Sequence, residues 1–109
     1  GGKETAIQRV SNTKPISQNN KELIKNTSKA GELLGKKLIY LEAGSGAKVP
    51  VDASIISIVK NNLNIPLIVG GGIRSKNQLE NAFSAGADLV VIGTAFEDNE
   101  NFFNQLKKQ

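Results

Sequence analysis

The sequence predicts an α/β fold in which a parallel sheet is covered by helices. Short apolar runs at 38–42, 66–69 and 89–92 alternate with segments whose apolar residues recur every three or four positions. The chain between successive runs is long enough for one crossover helix, as parallel strands require. The runs are also apolar along their length, which is typical of strands covered on both faces.

The first part of the chain predicts a loop and then a helix. Residues 1–18 are polar and irregular, with room for one short extended piece. A helix from about 20 to 34 follows, because its apolar and small residues lie on one face. Gly35 suits the left-handed position that ends many helices. The first predicted strand, 38–42, ends at Glu42.

The remaining elements repeat this alternation. The second helix is predicted at 52–62, with Asp52 or Ser54 as its N-cap, and the third begins at Ser75 and ends at Gly86. A last helix is predicted at about 98–107, so the full order is α-β-α-β-α-β-α in one domain, 1–109. Three strands leave unpaired sheet edges beside apolar side chains. We therefore expect part of a larger sheet, or a sheet that another chain completes.

Composition narrows the chemistry that this chain can perform. It has no cysteine and no histidine, so disulfides, thiol nucleophiles and imidazole acid–base groups are excluded. The net charge is +4, but the lysines are scattered, which favours solvated helix faces over a nucleic-acid surface. No run approaches a membrane span and no signal peptide is visible. The opening Gly-Gly-Lys, in place of Met, suggests a processed, tagged or excised start.

Glycines follow each of the predicted strands. They lie in Glu42-Ala43-Gly44-Ser45-Gly46, in Gly70-Gly71-Gly72 and in Gly93-Thr94. The carboxyl ends of parallel strands meet at one edge, where glycine lets several backbone N–H groups approach one ligand. Nearby helix starts favour an anion. One such loop could be only a tight turn, but three together predict a phosphate site.

Four polar side chains near this pattern have alternative interpretations. Glu42 would be repelled by phosphate unless it contacts a hydroxyl of the same ligand, and the alternative is an ion pair with Arg74 or a lysine. Tyr40 shares its strand face with Glu42, and either packs inward or donates to the ligand. Arg74 either neutralises the phosphate or lies on the rim. Asp88 precedes a strand at the opposite edge, where a role in stability is favoured.

Longer motifs resemble one enzyme family. The segments 40–47, 66–75 and 86–95, preceded by 2–15, together resemble the geranylgeranylglyceryl phosphate synthase and heptaprenylglyceryl phosphate synthase family. The first motif, Tyr-Leu-Glu-Ala-Gly-Ser-Gly-Ala, is specific, whereas the next two occur in many phosphate-binding barrels. The resemblance implies the C-terminal portion of a (β/α)8 TIM-type barrel that begins after the fifth strand, with 1–18 as a loop and 19–109 as the last βα units.

The resemblance also implies an activity. Members transfer a polyprenyl group, such as geranylgeranyl, from its diphosphate to sn-glycerol 1-phosphate, which forms an ether precursor in phospholipid biosynthesis. They use Mg²⁺, whose ligands we expect in the N-terminal half of the barrel and not in this chain. That half would be a separate chain or a segment outside this sequence. We further expect a homo-oligomer, a cytoplasmic location at the membrane surface, no nucleic-acid partner and no transmembrane segment.

Site residues follow from the matching motifs. Glu42 and Tyr40 are the expected catalytic residues, with Glu42 orienting or helping to deprotonate the attacking hydroxyl. The residues expected to bind sn-glycerol 1-phosphate are Tyr40, Leu41, Glu42, Ala43, Gly44, Ser45, Gly46, Gly71, Gly72, Gly93 and Thr94. Alone, this chain is expected to be an inactive portion of the prenyltransferase. The alternatives are a non-catalytic phosphate-binding half-barrel and another phosphate-handling TIM-barrel enzyme.

Overall fold

The computed structural model describes residues 6–11, 18–43 and 49–92, which form a parallel sheet with helices between its strands. The elements are β1 (Ile7–Ser11), α1 (Gln18–Leu33), β2 (Leu38–Glu42), α2 (Ala53–Lys60), β3 (Leu67–Gly70), α3 (Lys76–Ala85) and β4 (Leu89–Val91). The strands lie side by side in the order β1-β2-β3-β4, and every pair is parallel. The predicted α/β alternation is confirmed, whereas the helix predicted at 98–107 lies outside the described residues.

The segment predicted as a loop contains a strand. β1 pairs with β2 along its whole length, from Ile7 opposite Leu38 to Ser11 opposite Glu42. This strand is the one short extended piece for which the sequence left room in 1–18, and backbone pairing to a later strand, rather than an apolar run, stabilises it. The described part of the chain thus has four parallel strands, one more than the three apolar runs of the sequence predicted.

The helix ends follow the local sequence. Asp52 caps α2 by accepting a hydrogen bond from the Ser54 N–H at 2.8 Å, and Ser75 caps α3 by accepting from the Gln78 N–H at 3.1 Å. Gly35 follows α1 with φ of 95°, and Gly86 follows α3 with φ of 127°. Both caps and both terminating glycines are confirmed as predicted, because each depends only on neighbouring residues.

The hydrophobic core lies between one face of the sheet and the helices. The strands contribute fully buried side chains, among them Ile39, Leu41, Leu67 and Val69. The helices contribute a matching set, listed here: Ile24, Ile55, Ile56, Val59, Leu79 and Ala82. Crossovers between parallel strands are right-handed, so consecutive helices of a sheet in sequential order lie on the same side. We call this side the helix face.

The opposite face of the sheet, here called the inner face, carries two rows of side chains. The register places Arg9, Tyr40, Ile68 and Leu89 in one row, and Ser11, Glu42, Gly70 and Val91 in the next row toward the strand ends. No helix among residues 6–11, 18–43 and 49–92 covers this face, and Leu89 and Val91 are 58% and 43% exposed. The expectation that both faces are covered is therefore wrong for the described part of the chain.

The amino-terminal edge of the sheet is held together by a carboxylate. Asp88 Oδ2 accepts hydrogen bonds from the Leu67 backbone N–H at 2.8 Å and from Lys60 Nζ at 2.7 Å. These hydrogen bonds, that from Lys60 foremost, lower the pKa of Asp88. The contacts join the starts of β3 and β4 to the end of α2, which agrees with the predicted role of Asp88 in stability.

Candidate functional site

The candidate site is the carboxyl-terminal edge of the sheet, where β1, β2 and β3 end in one row at Ser11, Glu42 and Gly70. Gly71 and Gly72 continue the chain from that row, so the structure brings these parts of the predicted site together. The remaining predicted loop residues, Gly44, Ser45, Gly46, Gly93 and Thr94, lie outside the described residues. Their proposed phosphate contacts stay predictions.

Two of the predicted binding residues can reach a ligand only in part. The side chain of Leu41 is fully buried on the helix face. The backbone N–H of Ala43 donates to the Gly70 carbonyl at 3.1 Å, so the sheet already uses this donor. At these two positions, any contact with a ligand must therefore come from the remaining backbone groups or from the small Ala43 side chain.

Tyr40 lies across the inner face, with its ring between two neighbouring strands. The guanidinium carbon of Arg9, on β1, is 5.2 Å from the ring centroid. On the β3 side, a Cβ added at Gly70 would lie 2.6 Å from the Tyr40 hydroxyl. Gly70 therefore leaves the space that the phenol occupies. Because Gly70 is in the Glu42 row, the hydroxyl reaches one row nearer the strand ends than the Tyr40 backbone.

Glu42 has two partners on β1, and both contacts are long. Its Oε1 accepts from the Ser11 hydroxyl at 3.4 Å, and its Oε2 lies 3.7 Å from Arg9 Nη1. The ion-pair alternative named Arg74 or a lysine, but the observed partner is Arg9. A carboxylate offers about four lone-pair positions, so these contacts leave capacity for a further donor. The side chain is 24% exposed, which allows a ligand hydroxyl to reach it.

The turn after β3 packs against the chain that leads from β2 to α2. Gly71 and Gly72 have φ of 91° and 74°, in the region that favours glycine. A Cβ at Gly72 would lie 2.5 Å from the Val49 carbonyl carbon and 2.7 Å from the Pro50 nitrogen. Gly72 is thus required by the turn and by backbone packing, whatever it binds. The same packing brings the chain that follows β2 to the turn after β3.

Arg74 follows this turn on the rim of the edge. The residue is exposed, and its backbone N–H donates to Gln78 Oε1 at 2.6 Å just before α3 begins. This exposed position agrees with the rim alternative from the sequence. The phosphate alternative stays a prediction.

Sequence reasoning missed Arg9 and Ser11, which lie two apart on β1 and face Tyr40 and Glu42 in register. The available signal was that spacing, which places both side chains on one face of any strand. Both residues also border a cavity of about 250 Å³ between β1 and the first half of α1. Its lining residues are Arg9, Val10, Ser11, Asn20, Leu23, Ile24 and Thr27.

Two further properties of the described residues concern metal binding and the crossing of a membrane. Residues 6–11, 18–43 and 49–92 contain no group of three or more acidic side chains that could hold a metal ion. Glu42, the acidic residue of the site, has Arg9 and Ser11 as neighbours instead, so this part of the chain does not fit a Mg²⁺ site. Within the same ranges, the helices are too short or too polar to cross a membrane.

Comparison with known proteins places these features in a family. The PcrB family matches residues 2–109. The geranylgeranylglyceryl phosphate synthase of Zunongwangia profunda is 64% identical over 100 residues, which cover 92% of this chain and 43% of that protein. The enzyme of the same name from Thermococcus gammatolerans is 48% identical over 99 residues, covering 91% and 39%. The chain therefore spans less than half the length of these curated relatives.

Solved structures agree with the sequence comparison. The geranylgeranylglyceryl phosphate synthase of Thermoplasma volcanium superposes with a TM-score of 0.79 at 37% identity, over 93% of this chain and 45% of that one. The Thermoplasma acidophilum (S)-3-O-geranylgeranylglyceryl phosphate synthase, solved in complex with sn-glycerol-1-phosphate, gives 0.64 at 37% identity, over 75% and 35%. The predicted fold class, the C-terminal portion of a TIM-type barrel, is confirmed. The family resemblance is confirmed as well: the chain belongs to the PcrB family.

Proposed function

We propose that this chain is the acceptor-binding portion of a prenyltransferase that joins a polyprenyl group to sn-glycerol 1-phosphate. The observation that carries the proposal is the row of Ser11, Glu42 and Gly70 at the carboxyl-terminal edge, with Gly71 and Gly72 directly behind it. The row therefore combines a carboxylate, which can accept a hydrogen bond from a ligand hydroxyl, with a glycine turn. Both lie at the edge where TIM-type barrels bind their substrates. The relative from Thermoplasma acidophilum, solved with sn-glycerol-1-phosphate, supports the choice of substrate.

In the proposed complex the two ends of the acceptor contact different groups. The phosphate lies against the turn at Gly71 and Gly72 and the loops at 44–46 and 93–94, where glycines permit close backbone approach. The glycerol end extends toward Glu42. The carboxylate then accepts from a glycerol hydroxyl, which compensates for its repulsion from the phosphate. The Tyr40 hydroxyl reaches one row nearer the strand ends than its own backbone. It is therefore available as a second polar contact to the acceptor.

Glu42 is the proposed catalytic residue. In the reaction, the glycerol hydroxyl oxygen forms a bond to the first carbon of the prenyl chain as the bond from that carbon to the diphosphate breaks. The hydroxyl proton leaves toward Glu42, which is the acceptor nearest to the proposed glycerol position. General-base assistance of this kind contributes roughly 10²- to 10⁴-fold. Tyr40 holds the acceptor in position for this step.

The rest of the proposed enzyme lies outside the described residues. Prenyl diphosphate, Mg²⁺ and the N-terminal half of the barrel, as a separate chain or another segment, belong to the proposal. We propose that the metal ligands lie in that half, because the described residues do not fit a Mg²⁺ site. A homo-oligomer in the cytoplasm, working at the membrane surface because its product is a lipid, completes the proposal.

The test is prenyl transfer by the complete protein, in which this chain is joined to the rest of the barrel. It is incubated with sn-glycerol 1-phosphate, geranylgeranyl diphosphate and Mg²⁺, and the ether product is measured by mass spectrometry. The Gly71→Val variant should lose sn-glycerol 1-phosphate binding in calorimetry, because a branched side chain at φ of 91° distorts the turn and blocks backbone approach. The 109-residue chain alone should form no product.

The control is Ala30→Val, which adds a side chain of the same size on an exposed position of α1. It should bind and react as the wild type does. Normal binding by Gly71→Val would show that the phosphate site is wrongly assigned. Binding of sn-glycerol 1-phosphate without any ether product from the complete protein would favour the non-catalytic alternative.

A further inference from the structure

We propose that Arg9 is a positioning residue, which holds Glu42 and Tyr40 in the orientation that the acceptor site needs. The inference rests on the proposed function and deepens it. It assigns a role to β1, a strand that contributes no residue to the predicted acceptor site. Arg9 itself does not contact the substrate in this proposal, because its effect passes through the two side chains beside it.

The register of the sheet places Arg9 on the inner face together with Tyr40 and Glu42. Arg9 lies opposite Tyr40, and Ser11 lies opposite Glu42, so all four side chains project from the inner face in two adjacent rows. Arg9 belongs to the row of Tyr40, yet its Nη1 lies 3.7 Å from Oε2 of Glu42, which is in the next row toward the strand ends. The guanidinium therefore extends along the strand direction toward the carboxyl-terminal edge. One side chain thus connects the two rows.

One guanidinium, that of Arg9, contacts both predicted catalytic residues. Its carbon lies 5.2 Å from the centroid of the Tyr40 ring, within the range of a cation–π contact. Its Nη1 is the charged partner of the Glu42 carboxylate. A planar guanidinium can contact a ring with its face while its edge points to a carboxylate, which an ammonium group cannot do. Arg9 thus fixes the two side chains relative to each other.

The other side of the Tyr40 ring is also bounded, by β3. A Cβ at Gly70 would lie 2.6 Å from the phenol oxygen and 3.2 Å from Val91 Cβ, so the ring occupies a space open only because residue 70 is glycine. Arg9 on β1 and Gly70 on β3 therefore define the ring position from both sides. On the Glu42 side, the Ser11 hydroxyl approaches the second carboxylate oxygen at 3.4 Å. Each of the two predicted catalytic side chains thus has a residue of β1 next to it.

Stability alone does not account for this arrangement. The Arg9 side chain is 68% exposed and its distance to Glu42 is long, and ion pairs with these properties contribute little to folding. The same contacts are sufficient to choose among side-chain rotamers, because these differ little in energy. Arg9 should therefore matter more for catalysis than for unfolding. This distinction makes the role measurable.

The experiment is a double-mutant cycle on prenyl transfer by the complete protein, with Arg9→Gln, Glu42→Gln and both together. Arg9→Gln should lower kcat/KM for sn-glycerol 1-phosphate by about tenfold, the scale of a small misplacement of a reacting group. The KM for geranylgeranyl diphosphate should stay within about twofold. The double variant should be slower than Glu42→Gln alone by less than the about tenfold factor of Arg9→Gln, because the part of the Arg9 effect that passes through Glu42 is already lost. Arg9→Lys should recover part of the loss, because it keeps the charge but not the planar contact.

The matched control is Lys25→Gln, which removes one cation from the Lys25–Glu22 pair on α1 and should leave all kinetic constants unchanged. Multiplicative losses in the double variant, unchanged kinetics in Arg9→Gln, or a lower melting temperature as its sole effect would each overturn the proposal. If Arg9→Gln does not fold, the cycle with Arg9→Lys decides. A wild-type protein that transfers no prenyl group would instead refute the proposed function, and that result is visible before any Arg9 variant is made.

Discussion

At the amino-terminal edge of the sheet Asp88 accepts two hydrogen bonds, at 2.7 and 2.8 Å, whereas at the carboxyl-terminal edge Glu42 has its partners at 3.4 and 3.7 Å. Glu32, near the amino-terminal edge, likewise accepts from the Asn64 backbone N–H at 2.7 Å. Short bonds to backbone N–H groups fix these carboxylates within the fold. The long contacts of Glu42 leave it able to accept another donor.

This difference shows how one sheet separates stability from chemistry. Carboxylates that join elements must give up their accepting capacity to the protein. A carboxylate that serves a substrate must keep some of that capacity and still be held in place. In the proposed site Glu42 meets both conditions, because Arg9 and Ser11 approach it without the close contacts made to Asp88. Variants at the two edges should therefore change different measured quantities.

The largest expected effect is on folding at the glycine turn. Gly72→Ala places a Cβ against the Val49 and Pro50 backbone at φ of 74°, and neither backbone segment can move cheaply. We expect the free energy of unfolding of the complete protein to fall by about 3 kcal/mol, from left-handed strain and overpacking together. Urea unfolding followed by circular dichroism measures it. Gly35→Ala is the control, since it has φ of 95° but open space around it, and should cost about 1 kcal/mol. Equal losses would remove the packing argument.

The next effect is on turnover at Glu42. Glu42→Gln keeps the size of the side chain but not its charge, and should lower turnover by roughly 10²-fold if Glu42 assists the nucleophile. Its free energy of unfolding should change by less than about 0.5 kcal/mol, because the ion pair with Arg9 is long and partly exposed. Steady-state kinetics with sn-glycerol 1-phosphate varied at saturating prenyl diphosphate gives the answer. A raised KM with normal turnover would reduce Glu42 to a binding residue.

The opposite pattern is expected at Asp88. Asp88→Ala removes the acceptor of the Leu67 N–H and the partner of Lys60. The unfolding free energy should fall by about 1.5 kcal/mol, at the lower end for a charged hydrogen bond because the side chain is partly exposed. The KM for sn-glycerol 1-phosphate and the turnover of the folded protein should be unchanged. A kinetic defect without a loss of stability would contradict the division between the two edges.

The smallest effect is a pH dependence of stability. The hydrogen bond from Lys60, ahead of that from the Leu67 N–H, lowers the pKa of Asp88 from its ordinary 3.8, and the Asn64 backbone lowers that of Glu32 from 4.5. Groups with a lowered folded pKa stabilise the fold above their ordinary values and lose this contribution as the pH falls through the folded values. Unfolding free energies should therefore decline below about pH 4.5. The decline should be shallower in Asp88→Asn, and an unchanged slope in that variant would exclude Asp88 as a cause.

Local signals were sufficient for much of the fold. The capping roles of Asp52 and Ser75 and the terminating role of Gly86 follow from neighbouring residues, so the sequence predicted them correctly. For β1 the sequence left only room for one short extended piece, without bounds or a partner, because only Val10 in it is buried among the described side chains of the strand. Its partner, β2, also lies a whole helix later in the chain. Edge strands of this kind are defined by pairing rather than by composition.

The same distinction between local and long-range signals applies to the candidate site. Glu42 and Tyr40 were found from their spacing within one strand, which is a local property. Arg9 was missed because its role exists only through the register between β1 and β2. Gly70 was interpreted as part of a phosphate loop, but its described contact is with the Tyr40 ring on the neighbouring strand. Contacts across strands cannot be predicted until the strand order and register are known.

The position of Tyr40 also gives the chain an internal optical reporter. The sequence contains one tyrosine and no tryptophan, so near-ultraviolet emission excited beyond the phenylalanine bands comes from this phenol alone. The ring lies between a guanidinium and the space above Gly70, and the same guanidinium is the charged partner of Glu42. Its brightness and lifetime therefore depend on the surroundings of the proposed acceptor site rather than on the fold as a whole. In this chain, the residue that shapes the site is also the residue that emits from it.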